Sequence, residues 1–187
     1  RRACPDAVVV PPRFELYRRY SHLARRIYYD YTDLVEPFGP DEAWLDITNS
    51  VHLSGGDPEL VAQEISERVR TELGLSVSVG LSWNKIFAKF GSDHDKPDGF
   101  MCVTPENCMR LVWGAPVSDL LYVGPATARK LARVGILTIG QLAQAPDELV
   151  RGMLGKMGIV VRSFARGLDE SPVCPLDLAS VDVGREV

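Results

Sequence analysis

Asp41 and Glu42 are the adjacent residues in this 187-residue chain whose types best suit chemistry. Neighbouring carboxylates can share a hard divalent cation such as Mg²⁺, which is commonly held by one or two carboxylates together with substrate phosphates. In a regular strand, adjacent side chains point to opposite faces, so this pair converges only where the backbone bends. Gly39-Pro40, immediately before it, supplies such a bend, because Pro removes a ladder donor and Gly relaxes φ. As a bare dipeptide, the plainer reading is a solvent-exposed acidic pair at a strand start.

Positive groups follow. Lys85 and Lys89 fall i,i+4 on one face of a short helix, opposite its apolar side, and Lys96 sits in the turn Lys96-Pro97-Asp98-Gly99. Ammonium groups act as point charges on polyphosphate oxygens; a solvated helix face is the alternative. Tyr122-Val123-Gly124-Pro125-Ala126-Thr127-Ala128 fits the second half of a helix-hairpin-helix, which presents backbone N–H groups to a DNA phosphate. The usual hairpin has Gly on both sides of the hydrophobic residue, and here Tyr122 takes the first Gly position. An ordinary helical turn fits the same residues. His22, His52 and His94 share no ligand spacing and read as surface residues. Asp46 reads as a cap for the Thr48-Asn49 turn, and Trp44 and Phe38 read as core. Cys4, Cys102, Cys108 and Cys174 show no CxxC pairing, so neither zinc nor a disulfide framework is indicated.

The elements that must position these groups are legible from period and punctuation. Ala7 to Val10 reads as a strand stopped by Pro11-Pro12. Apolar residues spaced by threes and fours predict a helix over 13–32, with Arg18, Arg19, Arg25 and Arg26 mostly off its stripe. Leu34 to Phe38 and Ala43 to Thr48 read as an antiparallel pair of strands. Asp57-Pro58 opens a helix that Gly74 ends. Ser76 to Leu81 is a strand, Asn84 to Ser92 a short helix, and Phe100 to Val103 a last strand. The expected class is α+β: a ferredoxin-like βαββαβ layout over 1–104, with an antiparallel sheet and helices on one face. Residues 105–170 read as a small all-α unit with segments broken at Gly152, Gly155 and Gly158. Residues 171–187 read as a linker.

Composition bounds the rest. The chain is 45% hydrophobic, enough for one ordinary domain or two small ones and against disorder. No apolar run is long enough to span a membrane. Net charge is −4, which argues against a generic nucleic-acid binder, but residues 104–172 carry 8 basic against 6 acidic side chains, a hint of two units with different jobs. The opening Arg1-Arg2-Ala3-Cys4-Pro5 has no apolar segment behind it and no initiator Met. It reads as a piece of a longer protein with a cytoplasmic, reducing home.

In order, these motifs are Cys4-Pro5-Asp6-Ala7 to Pro11-Pro12-Arg13, Tyr31-Thr32-Asp33 with Glu36-Pro37-Phe38-Gly39-Pro40-Asp41-Glu42-Ala43-Trp44-Leu45-Asp46-Ile47-Thr48, Val79-Gly80 and Asn84-Lys85 with Phe87-Ala88-Lys89, Ser92-Asp93 and Lys96-Pro97-Asp98-Gly99, Val123-Gly124 with Ala128 and Leu131, and Val183-Gly184-Arg185-Glu186. The series resembles the Y-family translesion DNA polymerases of the DinB/UmuC type along essentially the whole chain. The resemblance implies a partial palm over 1–104, a helical thumb over 105–170 and a linker toward a little-finger domain. It implies that Asp41 and Glu42 hold the catalytic Mg²⁺, two ions in the intact enzyme. Lys96, and less directly Lys85, would contact the incoming deoxynucleoside triphosphate. Val123, Gly124, Ala126 and Thr127 would grip primer-template DNA. A sliding clamp would bind through other regions. The family's first metal-binding Asp lies on a strand ahead of the fingers, so the chain by itself is expected not to polymerise. Gly39 stands where the family usually has Ser, and Pro40 where it has an aliphatic residue.

Two other readings compete. A catalytically inert, polymerase-like DNA-binding accessory subunit would not need acids at 41 and 42. An RNA-binding βαββαβ module would carry exposed aromatics where this chain has Asp41, Glu42 and Asp46.

Overall fold

Helix α1 (Phe14–Tyr29) forms where the sequence periodicity places it, with Ile27 buried on its inner side. A computed structural model describes residues 3–175 of the chain. Strands β1 (Val35–Pro37) and β2 (Ala43–Leu45) pair antiparallel, with Glu36 opposite Trp44. Thr32 Oγ1 donates to the Asp46 carbonyl at 2.6 Å and ties the open end of the hairpin. A 3₁₀ turn, Val51–Ser54, leads to α2 (Pro58–Leu73). The Asp57 carboxylate caps α2 by accepting from the Glu59 N–H, and Gly74 ends it at φ 67°, a left-handed conformation that glycine adopts without steric cost. Val61, Ala62, Ile65 and Val69 form its buried face.

Strand β3 (Val79–Leu81), helix α3 (Lys85–His94) and β4 (Phe100–Cys102) make a parallel crossover unit, with Val79 beside Phe100. The packing of α3 on β3 is close because Gly80 has no side chain: a Cβ there would stand 1.9 Å from the Ala88 carbonyl oxygen.

Two expectations change. The α+β class stands, but Ala7 to Val10 form no strand; Val8, Val9 and Val10 are 87%, 81% and 73% exposed. A strand needs a ladder partner, and none of the described strands pairs with them. Nor do the described strands form one antiparallel sheet. The strands make two two-stranded sheets, β1–β2 and β3–β4, and the second is parallel.

The rest is helical: α4 (Cys108–Leu111), a 3₁₀ turn (Val117–Asp119), α5 (Pro125–Ala132), α6 (Ile139–Gln144), α7 (Asp147–Leu154) and α8 (Lys156–Ala165). Only Gly155 breaks a helix as expected. Gly152 lies inside α7 and Gly158 inside α8, where a Cβ would stand 2.3 Å from the Val150 carbonyl oxygen, so Gly158 lets the two helices cross closely. Secondary structure changes character at residues 104 and 105, but packing is continuous. Ile86, Phe87, Phe90 and Val103 share one buried cluster with Val117, Leu131, Ile139, Leu142 and Val161 of the helical part. The Val183 to Glu186 segment lies outside the described residues. No helix is long and apolar enough to cross a membrane among them.

Candidate active site

The turn between β1 and β2 carries the acidic pair. Its ends are closed by the Phe38 N–H donating to the Glu42 carbonyl at 2.8 Å, and Gly39 takes φ 81°. The chain is therefore bent at Asp41, and the alternation of a regular strand does not apply. Asp41 is exposed and Glu42 half-buried, and neither side chain is shut in the apolar interior. Both line one cleft of about 420 Å³ that runs between β2 and β3. Tyr28, Val61 and Ile65 also line it, as do Lys89, Ser92 and Lys96. Oxygen donors of this kind fit a hard divalent cation. Among the described residues there is no group of three or more His, Cys, Asp and Glu placed to hold a metal.

The three lysines take different partners. Lys85 Nζ donates to Glu36 at 3.0 Å and to the Pro172 carbonyl at 2.9 Å. It also lies 5.2 Å from the centre of the Trp44 ring, whose Nε1 donates to the Lys85 carbonyl at 3.0 Å. Its bonds thus lead to β1 and to the segment after α8. Lys89 Nζ bonds Glu42 Oε1 at 3.1 Å and also the Asp93 carboxylate. Lys96 bonds Asp93 Oδ1 at 2.7 Å. Burial pushes the Asp93 carboxyl up, but the hydrogen bonds from Lys89 and Lys96 prevail and hold it below the ordinary Asp value. Lys96 is raised, chiefly by its hydrogen bond to Asp93, with the charges of Glu42 and Asp41 adding to it. It therefore carries a full charge at neutral pH beside the acidic pair.

Asp93 and Glu36 stand among the motif residues of the sequence, but the sequence reading gave neither a role in the site. The spacing of Asp93, i,i+4 from Lys89 and i,i+3 from Lys96, was the signal available for it. For Glu36 nothing local pointed to its pairing with Lys85, which lies 49 positions away. Asn84 does structural work. Its Oδ1 accepts from the Phe87 N–H and caps α3, while its Nδ2 donates to the Gly167 carbonyl at 3.0 Å. Asp46 caps its turn as expected, accepting from the Thr48 N–H. Trp44 is buried, and all three histidines are exposed.

The hairpin differs in one residue from its expected role. Val123 is buried, and its N–H is already given to the Leu120 carbonyl at 2.9 Å, so it has no donor for a phosphate. Gly124, Ala126 and Thr127 open α5, whose start has no side-chain cap, and no acceptor meets their N–H groups among the described residues. Tyr122 adopts φ 68°, which explains why glycine suits that position; a non-glycine residue there costs about 1–2 kcal/mol. Its ring lies 6.0 Å from that of Phe164. A second cleft, of about 590 Å³, lies between α3 and this hairpin.

Comparison with known proteins gives a consistent picture. The impB/mucB/samB family model matches residues 1–93. A DNA polymerase IV of Acetivibrio thermocellus is 48% identical over 174 residues, covering 93% of this chain and 43% of that protein. A DNA polymerase IV of Moorella thermoacetica is 40% identical over 188 residues, covering 100% of this chain and 47% of that protein. The chain thus spans about half the length of the curated relatives it matches. Among solved structures, DinB from Sulfolobus solfataricus matches 93% of this chain and 51% of its own, with a TM-score of 0.83 at 25% identity. An insertion ternary complex of Dbh DNA polymerase matches 92% of this chain and 50% of its own, with a TM-score of 0.80 at 26% identity.

Proposed function

Because the chain belongs to the Y-family DNA polymerases, we propose that it supplies palm and thumb to a template-directed translesion polymerase, one that extends a primer across damaged DNA with low fidelity. The palm is the part up to residue 104 and the thumb residues 105–170. The observation that carries this reading is that Asp41 and Glu42 open on one cleft with Lys96 beside them.

Asp41 and Glu42 are the residues that would hold Mg²⁺. The bound ions would make the primer 3′-oxygen a better nucleophile and neutralise charge on the departing pyrophosphate. The chain's own side chains do the positioning. Lys96 offers a protonated amine to the triphosphate of the incoming deoxynucleotide. Gly124, Ala126 and Thr127 offer three N–H donors at the start of α5 to a phosphate of the primer-template duplex. Arg129 and Lys130 in the last turn of that helix add positive charge. We place the family's first metal-binding Asp, the one on its N-terminal strand, in the cleft between β2 and β3. Among the described residues β2 and β3 each pair with a single strand, and apolar side chains such as Val61 and Ile65 share the lining of that cleft with the charged ones. Lys85, bound to Glu36 and Pro172, is better suited to holding the chain after α8 than to a nucleotide. A sliding clamp would bind elsewhere in the protein, and its setting would be the cytoplasm.

The test is Glu42→Ala in the intact polymerase. Primer extension should fall on the order of 10²–10³-fold, the range seen when a charge-stabilising group is removed from an active site. Affinity for primer-template DNA should stay within about twofold, since the phosphate grip lies elsewhere. Near-normal extension would remove Glu42 from the catalytic role.

A further inference from the structure

We infer that Lys89 occupies the Glu42 carboxylate in place of a divalent cation and yields it by moving onto Asp93. The inference rests on the reading of Glu42 as a metal-binding residue. Its basis is geometric. Lys89 Nζ stands 3.1 Å from Glu42 Oε1 and donates also to Asp93 Oδ2. An ammonium has three donors, and two of these are already spread over carboxylates from different elements, the β1–β2 turn and α3. The Lys89 side chain is only 13% exposed, against 34% for Glu42 and 43% for Asp93. The stem is therefore fixed while the head has two acceptors within reach. Lys89 also lines both clefts, the one holding the acidic pair and the one beside the hairpin.

A divalent cation and an ammonium on one carboxylate repel each other, so the arrival of the first displaces the second. In most surroundings the displaced lysine would be left in a half-buried place without a partner. Here Asp93 already accepts from it, and the movement needed is a rotation about the last side-chain bonds. Asp93 is thus the positioning residue that lets Lys89 leave Glu42, and Lys89 keeps Glu42 oriented until it does. Asp93 also bonds Lys96 at 2.7 Å, so the same carboxylate touches the cation expected to meet the triphosphate.

Mn²⁺ binding to the intact polymerase without DNA or nucleotide, read by electron paramagnetic resonance, tests this. Lys89→Met should tighten Mn²⁺ binding at least threefold, because the competing ammonium is gone. Asp93→Asn should weaken it at least threefold, because Glu42 is then the only carboxylate left to Lys89. A merely structural role for the two residues on α3 would weaken binding in both variants; that result overturns the inference, as does no change in Lys89→Met. Lys89→Gln repeats the first measurement if the Met variant melts at a lower temperature than the parent. Glu42→Ala separates the two claims. If it leaves Mn²⁺ binding unaltered, the metal reading of Glu42 fails. If it weakens binding while Lys89→Met does nothing, the role of Lys89 alone is refuted.

Discussion

The side-chain amide of Asn84 donates to the main-chain carbonyl of Gly167 at 3.0 Å, joining residues 83 positions apart. Asn84 is 9% exposed, and its oxygen simultaneously caps α3. The helix that carries Lys85 and Lys89 is therefore anchored at its start to the end of α8. Gly167 makes the contact possible, since a Cβ there would stand 2.8 Å from the Trp83 ring.

Asn84→Ala should destabilise the fold by about 2–4 kcal/mol, the sum expected for a lost N-cap and an orphaned buried carbonyl. Urea unfolding measures this. Asn84→Asp, which keeps the cap but not the donor, should fall between the two. Equal stability of all three proteins would mean that the Gly167 bond contributes nothing.

Lys85 and Lys96 should separate in kinetics. Lys96→Met should raise the KM for deoxynucleotide about tenfold or more, the equivalent of one charge-assisted hydrogen bond. Lys85→Met should leave KM within about twofold but should speed hydrogen exchange at Cys174, whose N–H donates to Glu36 at 2.7 Å. A large KM effect at Lys85 would return it to the nucleotide site.

At the start of α5, a negative charge has opposite effects on folding and on binding. Ala126→Glu should leave the helix as stable or stabilise it by about 0.3–1 kcal/mol, because a carboxylate favours a helix N-terminus. The same carboxylate should weaken DNA binding about tenfold by repelling the phosphate and should lower the salt slope by about one. Titrations at several salt concentrations, with a thermal melt alongside, check both signs.

The Asp93 network should also show in pH dependence. The folded carboxyl is held below its ordinary value, so its contribution to stability is present above pH 3.8 and fades as pH falls through the lowered value. Lys96, raised above 10.5, contributes fully below that pH and loses its contribution as pH rises through the raised value. The difference in stability between parent and Asp93→Asn should therefore be flat across neutral pH and should shrink in strong acid. A difference that changes around pH 6 to 8 would assign the effect to other groups.

Local signals were enough for much of this. The apolar period of α1, the Asp57-Pro58 start and Gly74 stop of α2, the strand pair around Gly39-Pro40 and the Asn84 start of α3 all depend on residues within a few positions of each other. So does the acidic turn itself, because a left-handed glycine followed by proline bends the chain whatever surrounds it. The bare strand at Ala7 to Val10 could not be judged that way, since β structure exists only when a partner supplies the other half of each hydrogen bond. Lys85 and Lys89 make the same point more sharply. They sit one helical turn apart on α3 and look equivalent in sequence, yet one is bound to Glu36 and the other to Glu42. Which carboxylate each meets is set by how the β1–β2 hairpin lies across α3, and that depends on contacts between residues more than 40 positions apart. The residue types of the site were therefore written in the chain, while their pairing was decided by packing.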